Sequence, residues 1–418
     1  MKDIVIIFGY NNTRLYDVER LRNLCKRSLN AEILLCKEKI AKQDSDLTPY
    51  TLQIDLEFKN KEIIERQMLE INRYLSKNFL NPVACLPFSD KGIPLGSHFA
   101  KQRGLVHDDC DLSFACIDKY TFRQLEAKAK TPEWYKKPFF KKIYSFGEAI
   151  KIITDKNFPL FFKPTTEGNS RGCIEIQSLD DLIKNKEILD NYFDQGVIVE
   201  ECIKGFDEYS FDGVNGCYII TDKKTSNGYY RVETQHIIPA PLNPGHYSRL
   251  IEAGKIVAEI SGSLNGAVHN ELFLNKETGE VYCVEPNRRP GGLKIWDWIK
   301  IAFPGVDNWH SWVSWAANKK RNYIYPINNK YYVGCRMLKS PIDGMISTIN
   351  REAKNLLEDN EHIIEIVFSK NEGHAVTSTL KDNSDFIGYF VCRAKTINDL
   401  NILLSKVEQE ALKLVEIK

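Results

Sequence analysis

The chain has 418 residues, which at about 150 residues per domain argues for about three domains. Apolar residues make up 43% and charged residues 27%, the balance of a globular protein whose domains bury their own cores. Lys plus Arg number 57 against 56 Asp plus Glu, a net charge of +1, so no global field favours nucleic acid or an anionic membrane as a partner.

The apolar run Ile4–Phe8, closed by Gly9, reads as a buried strand. It is too short for a signal h-region and follows an acidic residue. Asp17–Arg27 sets Val18, Leu21, Leu24 and Cys25 on one helical face, and Ile33–Cys36 is a second strand. Leu69–Leu80 reads as a helix and Val83–Leu86 as a third strand before Pro87. This alternation predicts a parallel sheet covered by helices, with ligand-facing loops at the strand ends. No GxGxxG follows the first strand, so a dinucleotide fingerprint is absent. His107-Asp108-Asp109-Cys110-Asp111 holds metal-ligating residue types, but a polar loop before a strand Leu112–Ile117 explains it more simply.

From Phe161 to Asn287 strand patterns dominate: Leu160–Phe162, Ile174–Ile176, Val197–Val199, Tyr209–Val214, Tyr218–Thr221, Tyr229–Thr234, Ala267–Leu274 and Val281–Val284, interrupted by a helix over Ser248–Leu264. Strands with helices on one side indicate an α+β region. The polar stretch from Asn318 to Asn322 reads as a linker. Beyond it, strands near Tyr331–Leu338, Ile363–Phe368 and Phe390–Arg393 and helices near Ile349–Glu358 and Ile397–Val415 form a small α/β tail. The expected division is 1–115, 116–320 and 321–418. No stretch approaches the roughly 18 apolar residues of a membrane span. The 11 cysteines are scattered without a CxxC pair, as reduced and mostly buried thiols are. A cytoplasmic protein is expected.

Three segments carry chemistry. In Phe161–Ile174 a strand delivers Lys163, and a polar loop with Gly168 and Gly172 leads into the next strand, with Ser170 and Arg171 as donors. Such a loop brings backbone N–H groups to phosphate oxygens, although an ordinary hairpin loop has the same look. In Val197–Glu208 a buried strand runs into Glu200 and Glu201, then a kink at Cys202 and Ile203, then Glu208. Backbone groups of the kink can read an adenine edge and Glu208 can accept from ribose hydroxyls; a solvated acidic face is the alternative.

The third segment is the most specific. Asn275–Gly279 is a turn signal between His269–Leu274 and Glu280–Val284, so the pair is a hairpin. Centring the turn near Thr278 sets Glu271 opposite Glu285, each seven residues away, and period two puts Asn287 on the same face. Two carboxylates and a carboxamide oxygen make a hard oxygen site suited to Mg²⁺, with a solvated hairpin carrying incidental acids as the alternative. Arg288 and Arg289 follow at once, suited to phosphate or carboxylate.

These segments, in this order, resemble the ATP-grasp superfamily of carboxylate–amine ligases over most of the chain. Asp118-Lys119 with Arg123 is similar to the DK…R segment ahead of the family's nucleotide-gripping part, and Lys163 matches its second phosphate-binding lysine. Thr166–Gly172 is similar to the phosphate loop, Glu201–Glu208 to the adenine hinge and ribose acid. The resemblance implies an ATP-grasp fold with an N-terminal parallel-sheet domain and a small C-terminal lid domain. It implies ATP at Lys119, Lys163, Ser170, Arg171, Gly172, Glu200, Glu201, Cys202, Ile203 and Glu208. It also implies Mg²⁺, with Mn²⁺ as a substitute, at Glu271, Glu285 and Asn287. His236, the turn Arg289-Pro290-Gly291-Gly292, Trp296 and the tail segment Asp385–Gly388 resemble bacterial L-amino-acid ligases that make dipeptides. They imply a substrate site at His236, Arg289, Gly291, Gly292 and Trp296, with Arg289 and His236 catalytic. Small-molecule carboxylate and amine substrates are the implied partners, without nucleic acid or membrane, and a homodimer is compatible with them. The rival expectations are a bicarbonate-using carboxylase, a ligase of another carboxylate, and a non-catalytic nucleotide-binding regulator.

Overall fold

The computed structural model describes residues 1–57, 61–155, 158–168, 171–226, 231–319 and 328–418. Strand Lys2–Phe8 pairs in parallel with Glu32–Lys37 and with Leu80–Pro87, and Thr51–Gln53 adds a short edge. Helix Leu15–Leu29 buries Val18, Leu21 and Cys25 from one face and ends at Asn30, whose φ of 53° is left-handed backbone that Asn tolerates. Helix Lys61–Lys77 starts earlier than Leu69 and stops before Leu80, which opens the next strand.

The expected strand Leu112–Ile117 is instead a short 3-10 turn, Ser113–Cys116. Ser113 Oγ donates to the Cys110 carbonyl at 2.6 Å, and Asp118 then caps helix Lys119–Lys128 by accepting from Tyr120 N at 2.9 Å. Two local side-chain bonds turn a stretch too short to pair.

A second, antiparallel sheet runs in the order Phe140–Ile143, Val197–Glu201, Leu160–Pro164, Ile174–Ile176. Alternation along Leu160–Pro164 sends Leu160 and Phe162 into a core with Ile143, Ile174, Leu182 and Val199. Phe161 and Lys163 fall on the other face.

The third sheet has nine strands, with Glu233–Ile238, Cys217–Thr225, Asp207–Val214, Val268–Leu274 and Val281–Glu285 adjacent in that order. The expected strand Tyr229–Thr234 begins outside the described residues, and the observed one lies further along, at Glu233–Ile238. Tyr332–Leu338 pairs antiparallel with Glu233–Ile238, Gln235 opposite Arg336, and Gly388–Ala394 and Ile363–Phe368 follow outward. The C-terminal segment therefore extends the central sheet, and the pairing crosses the expected boundary at 320/321. Strands Gly344–Ile349, Ala375–Val376 and Val415–Ile417 form a small sheet of their own. The helix expected from Ile349 begins at Arg351, after Asn350 caps it by accepting from Ala353 N.

One core joins the N-terminal sheet to the central one. Val5, Ile7 and Phe88 pack with Ile238 and Val333 through helices Ile295–Ala302 and Asn308–Ala316. Trp296 is 2% exposed, and its ring meets Trp309 at 4.7 Å and Trp312 at 5.8 Å. It is core, and an indole so enclosed contributes about 1.5–3 kcal/mol by burial. All 11 thiols are free, with Cys173 and Cys202 half-buried and the others buried. Among the described residues no helix is long and apolar enough to cross a membrane.

The 107–111 segment is a structural turn. Asp108 Oδ1 accepts from the backbone N–H groups of Leu264, Asn265 and Gly266 at 2.8, 3.0 and 3.0 Å, and Asp109 Oδ1 accepts from Asp111 N at 2.8 Å. Asp108→Ala would leave three donors without their acceptor in a site 7% exposed, and is expected to lower stability by about 2–3 kcal/mol. Urea unfolding checks this; a shift under about 0.5 kcal/mol would mean that water replaces the carboxylate.

Candidate active site

The central sheet is written with period two. On strand Asp207–Val214, Tyr209 and Phe211 face the core beneath helix Pro244–Ile260, while Glu208, Ser210 and Asp212 face the other way. Register carries the polar face across the sheet: Glu208 lies opposite Lys223 and Lys223 opposite His236, while Ser210 lies opposite Glu271 and Asp212 opposite His269. The expected pairing of Glu271 with Glu285 is present, but regular register does not produce it. Leu274, Leu272 and Val281, Cys283 pair first, and a β-bulge between Glu271 and Leu272 then brings Glu271 opposite Glu285. Such a bulge re-aims side chains, here placing two carboxylates on one face. The turn depends on Asn275, whose Oδ1 accepts from Glu277 N and Thr278 N, and on Gly279 at φ +71°.

Each oxygen ligand of the expected metal set touches a basic side chain. Glu271 Oε1 lies 2.9 Å from Lys223 Nζ, Glu285 Oε1 lies 3.1 Å from Lys119 Nζ, and Asn287 Oδ1 accepts from Arg289 Nη2 at 3.3 Å. Burial alone would raise the Glu271 carboxyl, but Lys223 and His269 outweigh it and hold it at about 2. Burial would lower the His269 imidazole, yet Asp212, 2.6 Å from Nδ1, and Glu271 carry it up to about 9. Asp212 is itself fixed by Ser210 and Thr221 hydroxyls at 2.6 and 2.9 Å.

Lys163 sits on the second sheet, its Nζ 2.7 Å from Glu200 Oε2. Glu200 also accepts from Arg123 Nε at 2.5 Å, and Arg123 donates onward to Glu126 at 2.8 Å and to the Cys283 carbonyl at 2.9 Å. Burial opposes ionisation of Glu200, but Arg123 and Lys163 hold its carboxyl at about 2. Glu200 thus points at Lys163, and Glu201, half-buried, accepts from Phe139 N at 3.3 Å. Cys202 and Ile203 are half-buried at the strand end, where Cys202 N donates to the Pro159 carbonyl. Lys119 opens its helix and donates to the Glu167 carbonyl at 2.6 Å, tying the loop after strand Leu160–Pro164 to Glu285.

Of the other expected residues, Arg171 and Gly172 are not brought into this cluster, whereas Gly291, His236 and Arg289 lie against it. Arg171 is exposed and pairs with Glu167 at 2.9 Å, and Ser170 lies outside the described residues. Gly172, at φ +68°, is where a Cβ would come 2.5 Å from the Tyr192 ring, so close packing explains the glycine. A Cβ on Gly291 would meet His269 Nδ1 at 2.9 Å, whereas Gly292 has open space. His236 is buried, with Nε2 3.4 Å from Glu233 Oε2 and its ring 6.2 Å from Trp298. Arg289 Nε donates to both oxygens of Asp90 at 2.8 Å, a residue just past strand Leu80–Pro87 at the carboxyl ends of the parallel strands. Sequence reasoning missed Asp90, Glu233, Asp212 and Lys223 as site residues. For Lys223 the signal was available: continuing the Tyr218–Thr221 alternation two residues puts it on the face of Thr221.

Residues 156–297 match a family described as the ATP-grasp domain. This segment contains Lys163, Glu200, Glu271, Glu285, Asn287 and Arg289. The chain is 25% identical over 242 residues to a D-alanine–D-alanine ligase of Legionella pneumophila, covering 49% of this chain and 63% of that protein. It thus spans less than two thirds of that relative. In fold it is similar to an L-amino acid ligase from Bacillus licheniformis, at TM-score 0.77 and 15% identity over 100% of this chain and 98% of the other. A carboxyaminoimidazole ribonucleotide synthase from Aspergillus clavatus, solved with ATP, superposes at TM-score 0.69 and 10% identity over 99% of each chain. The segment that matches the ATP-grasp domain thus holds both the carboxylate pair of the polar sheet face and Lys163 of the second sheet.

Proposed function

We propose that the protein is an ATP-dependent ligase that activates the carboxylate of an amino acid as an acyl-phosphate and joins it to an amine, releasing ADP and phosphate. The observation that carries this reading is the pairing of Glu271 with Glu285 beside Asn287, with Lys119, Arg289 and the Lys163–Glu200 pair around them. Two carboxylates and a carboxamide are hard oxygen donors that fit Mg²⁺, or Mn²⁺ in its place, and Glu271, Glu285 and Asn287 would hold it. When bound, the ion neutralises phosphate oxygens.

The remaining work falls to the chain's own side chains. Lys119 and Lys163 hold phosphates, Glu208 accepts from ribose, and the backbone at Glu201–Ile203 reads the adenine edge. The substrate carboxylate oxygen attacks the γ-phosphorus and ADP leaves with the bonding pair, a step that depends on positioning and charge neutralisation. The amine nitrogen then attacks the acyl carbon, phosphate departs with the former carboxylate oxygen, and the proton lost from nitrogen passes to the departing phosphate. Arg289, anchored through Nε by Asp90, stabilises the developing oxyanion, and His236 with Glu233 lines the substrate side. The D-alanine–D-alanine ligase and the L-amino acid ligase are amino-acid ligases by name, which supports an amino acid as the substrate.

Phosphate release screened over pairs of amino acids with ATP and Mg²⁺, with mass spectrometry of the products, tests the reading. Release that needs bicarbonate, or none with any pair, would contradict it. In an active pair, Arg289→Ala is expected to lower kcat by about 10²–10³-fold with the KM for ATP within about threefold. Equal losses in both would remove the oxyanion role.

A further inference from the structure

Lys223 has a side chain with no exposed surface, and its Nζ lies 2.7 Å from Glu208 Oε1, 2.6 Å from Glu233 Oε1 and 2.9 Å from Glu271 Oε1. An ammonium has three N–H donors and no acceptor, so this one is fully spent, one bond to each carboxylate. The carboxylate oxygens of Glu208, Glu233 and Glu271 approach within 4.8 Å of one another, near enough for strong mutual repulsion without a cation among them. They come from three strands, Asp207–Val214, Glu233–Ile238 and Val268–Leu274, and Lys223 from the strand between the first two.

We infer that Lys223 is a positioning residue, a built-in cation that fills the cage of Glu208, Glu233 and Glu271 and so keeps a divalent ion from settling there. The inference deepens the proposed function, and what it says of Glu271 as a metal ligand rests on that reading. By committing Oε1 of Glu271, the ammonium leaves the second oxygen for the side shared with Glu285 and Asn287. It likewise fixes Glu208, the proposed ribose acceptor, and Glu233, the neighbour of His236. Without the ammonium the three carboxylates become a cage of hard oxygen donors, the ligand type that Mg²⁺, Mn²⁺ and Ca²⁺ take. A divalent ion would then bind ahead of nucleotide, on the wrong side of Glu271.

The test titrates Mn²⁺ into the full chain without nucleotide and follows free Mn²⁺ by electron paramagnetic resonance, comparing wild type with Lys223→Met. The variant is expected to bind one Mn²⁺ at least about tenfold more tightly than wild type, and adding Glu233→Gln should return the affinity towards the wild-type value. A folded Lys223→Met with Mn²⁺ affinity within about twofold of wild type overturns the inference. Should Lys223→Met lose its far-ultraviolet circular dichroism in metal-free buffer, the cage predicts that Mn²⁺ restores it, and failure to do so overturns the inference equally. Because the readout needs neither ATP nor turnover, it separates the two readings. Wild type inactive in every substrate pair with a Mn²⁺-binding Lys223→Met would sink the ligase reading and keep the cage; the reverse pattern would sink the cage alone.

Discussion

Glu285→Ala is expected to cut ATP turnover at least about a thousandfold while leaving the fold in place. Glu285 ends its strand with a side chain 28% exposed, and its partner Lys119 keeps the Glu167 carbonyl when the carboxylate is gone. A partly exposed pair of this kind contributes at most about 1 kcal/mol, so the melting temperature should move little. What the variant loses is one of the two carboxylates that face each other across the bulge, and with it the proposed metal site. Phosphate release and thermal melting on the same preparation check both halves. Turnover within about tenfold of wild type would remove Glu285 from the metal assignment.

Glu200→Ala should do the opposite, with its main effect on stability. Glu200 is 4% exposed and bridges Arg123 and Lys163; removing it leaves the nearly buried Lys163 ammonium without its carboxylate and the buried Arg123 guanidinium with Glu126 as its remaining carboxylate partner, an expected cost of about 3–5 kcal/mol. The pH dependence gives a second handle. The carboxyl is held at about 2 against an ordinary value of 4.5, so its contribution is present above about pH 4.5 and is lost as pH falls towards 2. Wild type should therefore lose more stability than Glu200→Ala across that window in urea unfolding at stepped pH. Parallel losses in the two proteins would show that the network does not hold the carboxyl down.

Much of the fold follows from short-range pattern. Apolar runs such as Ile4–Phe8 and Ile33–Cys36 became the parallel sheet, and the turn chemistry of Asn275–Gly279 fixed the hairpin that carries Glu271 and Glu285. That pairing was legible even though a bulge, which no pattern announces, produces it. Leu112–Ile117 looked like a strand because its apolar residues are consecutive, and two side-chain bonds decided otherwise. The less legible features depend on partners far apart in sequence. Gln235 meets Arg336 across the sheet, so the tail joins the central unit, and Arg289 meets Asp90, which no local spacing relates to it. Trp296 is spaced like a pocket residue near a conspicuous turn, but the neighbours that enclose it, Trp309 and Trp312, come from the following helix. Alternation places Lys223 on the face of Thr221 but does not show its burial: a lysine in a strand is ordinarily a solvated one, and three converging acids make this one buried.

In the proposed reaction a substrate carboxylate takes the γ-phosphoryl group and the resulting acyl-phosphate is what the amine attacks. Supplying an active amino-acid pair in which both oxygens of the activated carboxylate are ¹⁸O, with unlabelled water, ATP and Mg²⁺, tests whether that carboxylate is phosphorylated. The released phosphate is expected to contain one ¹⁸O atom from the carboxylate, and the amide to retain the other. Phosphate free of label, alongside normal product formation, would contradict it.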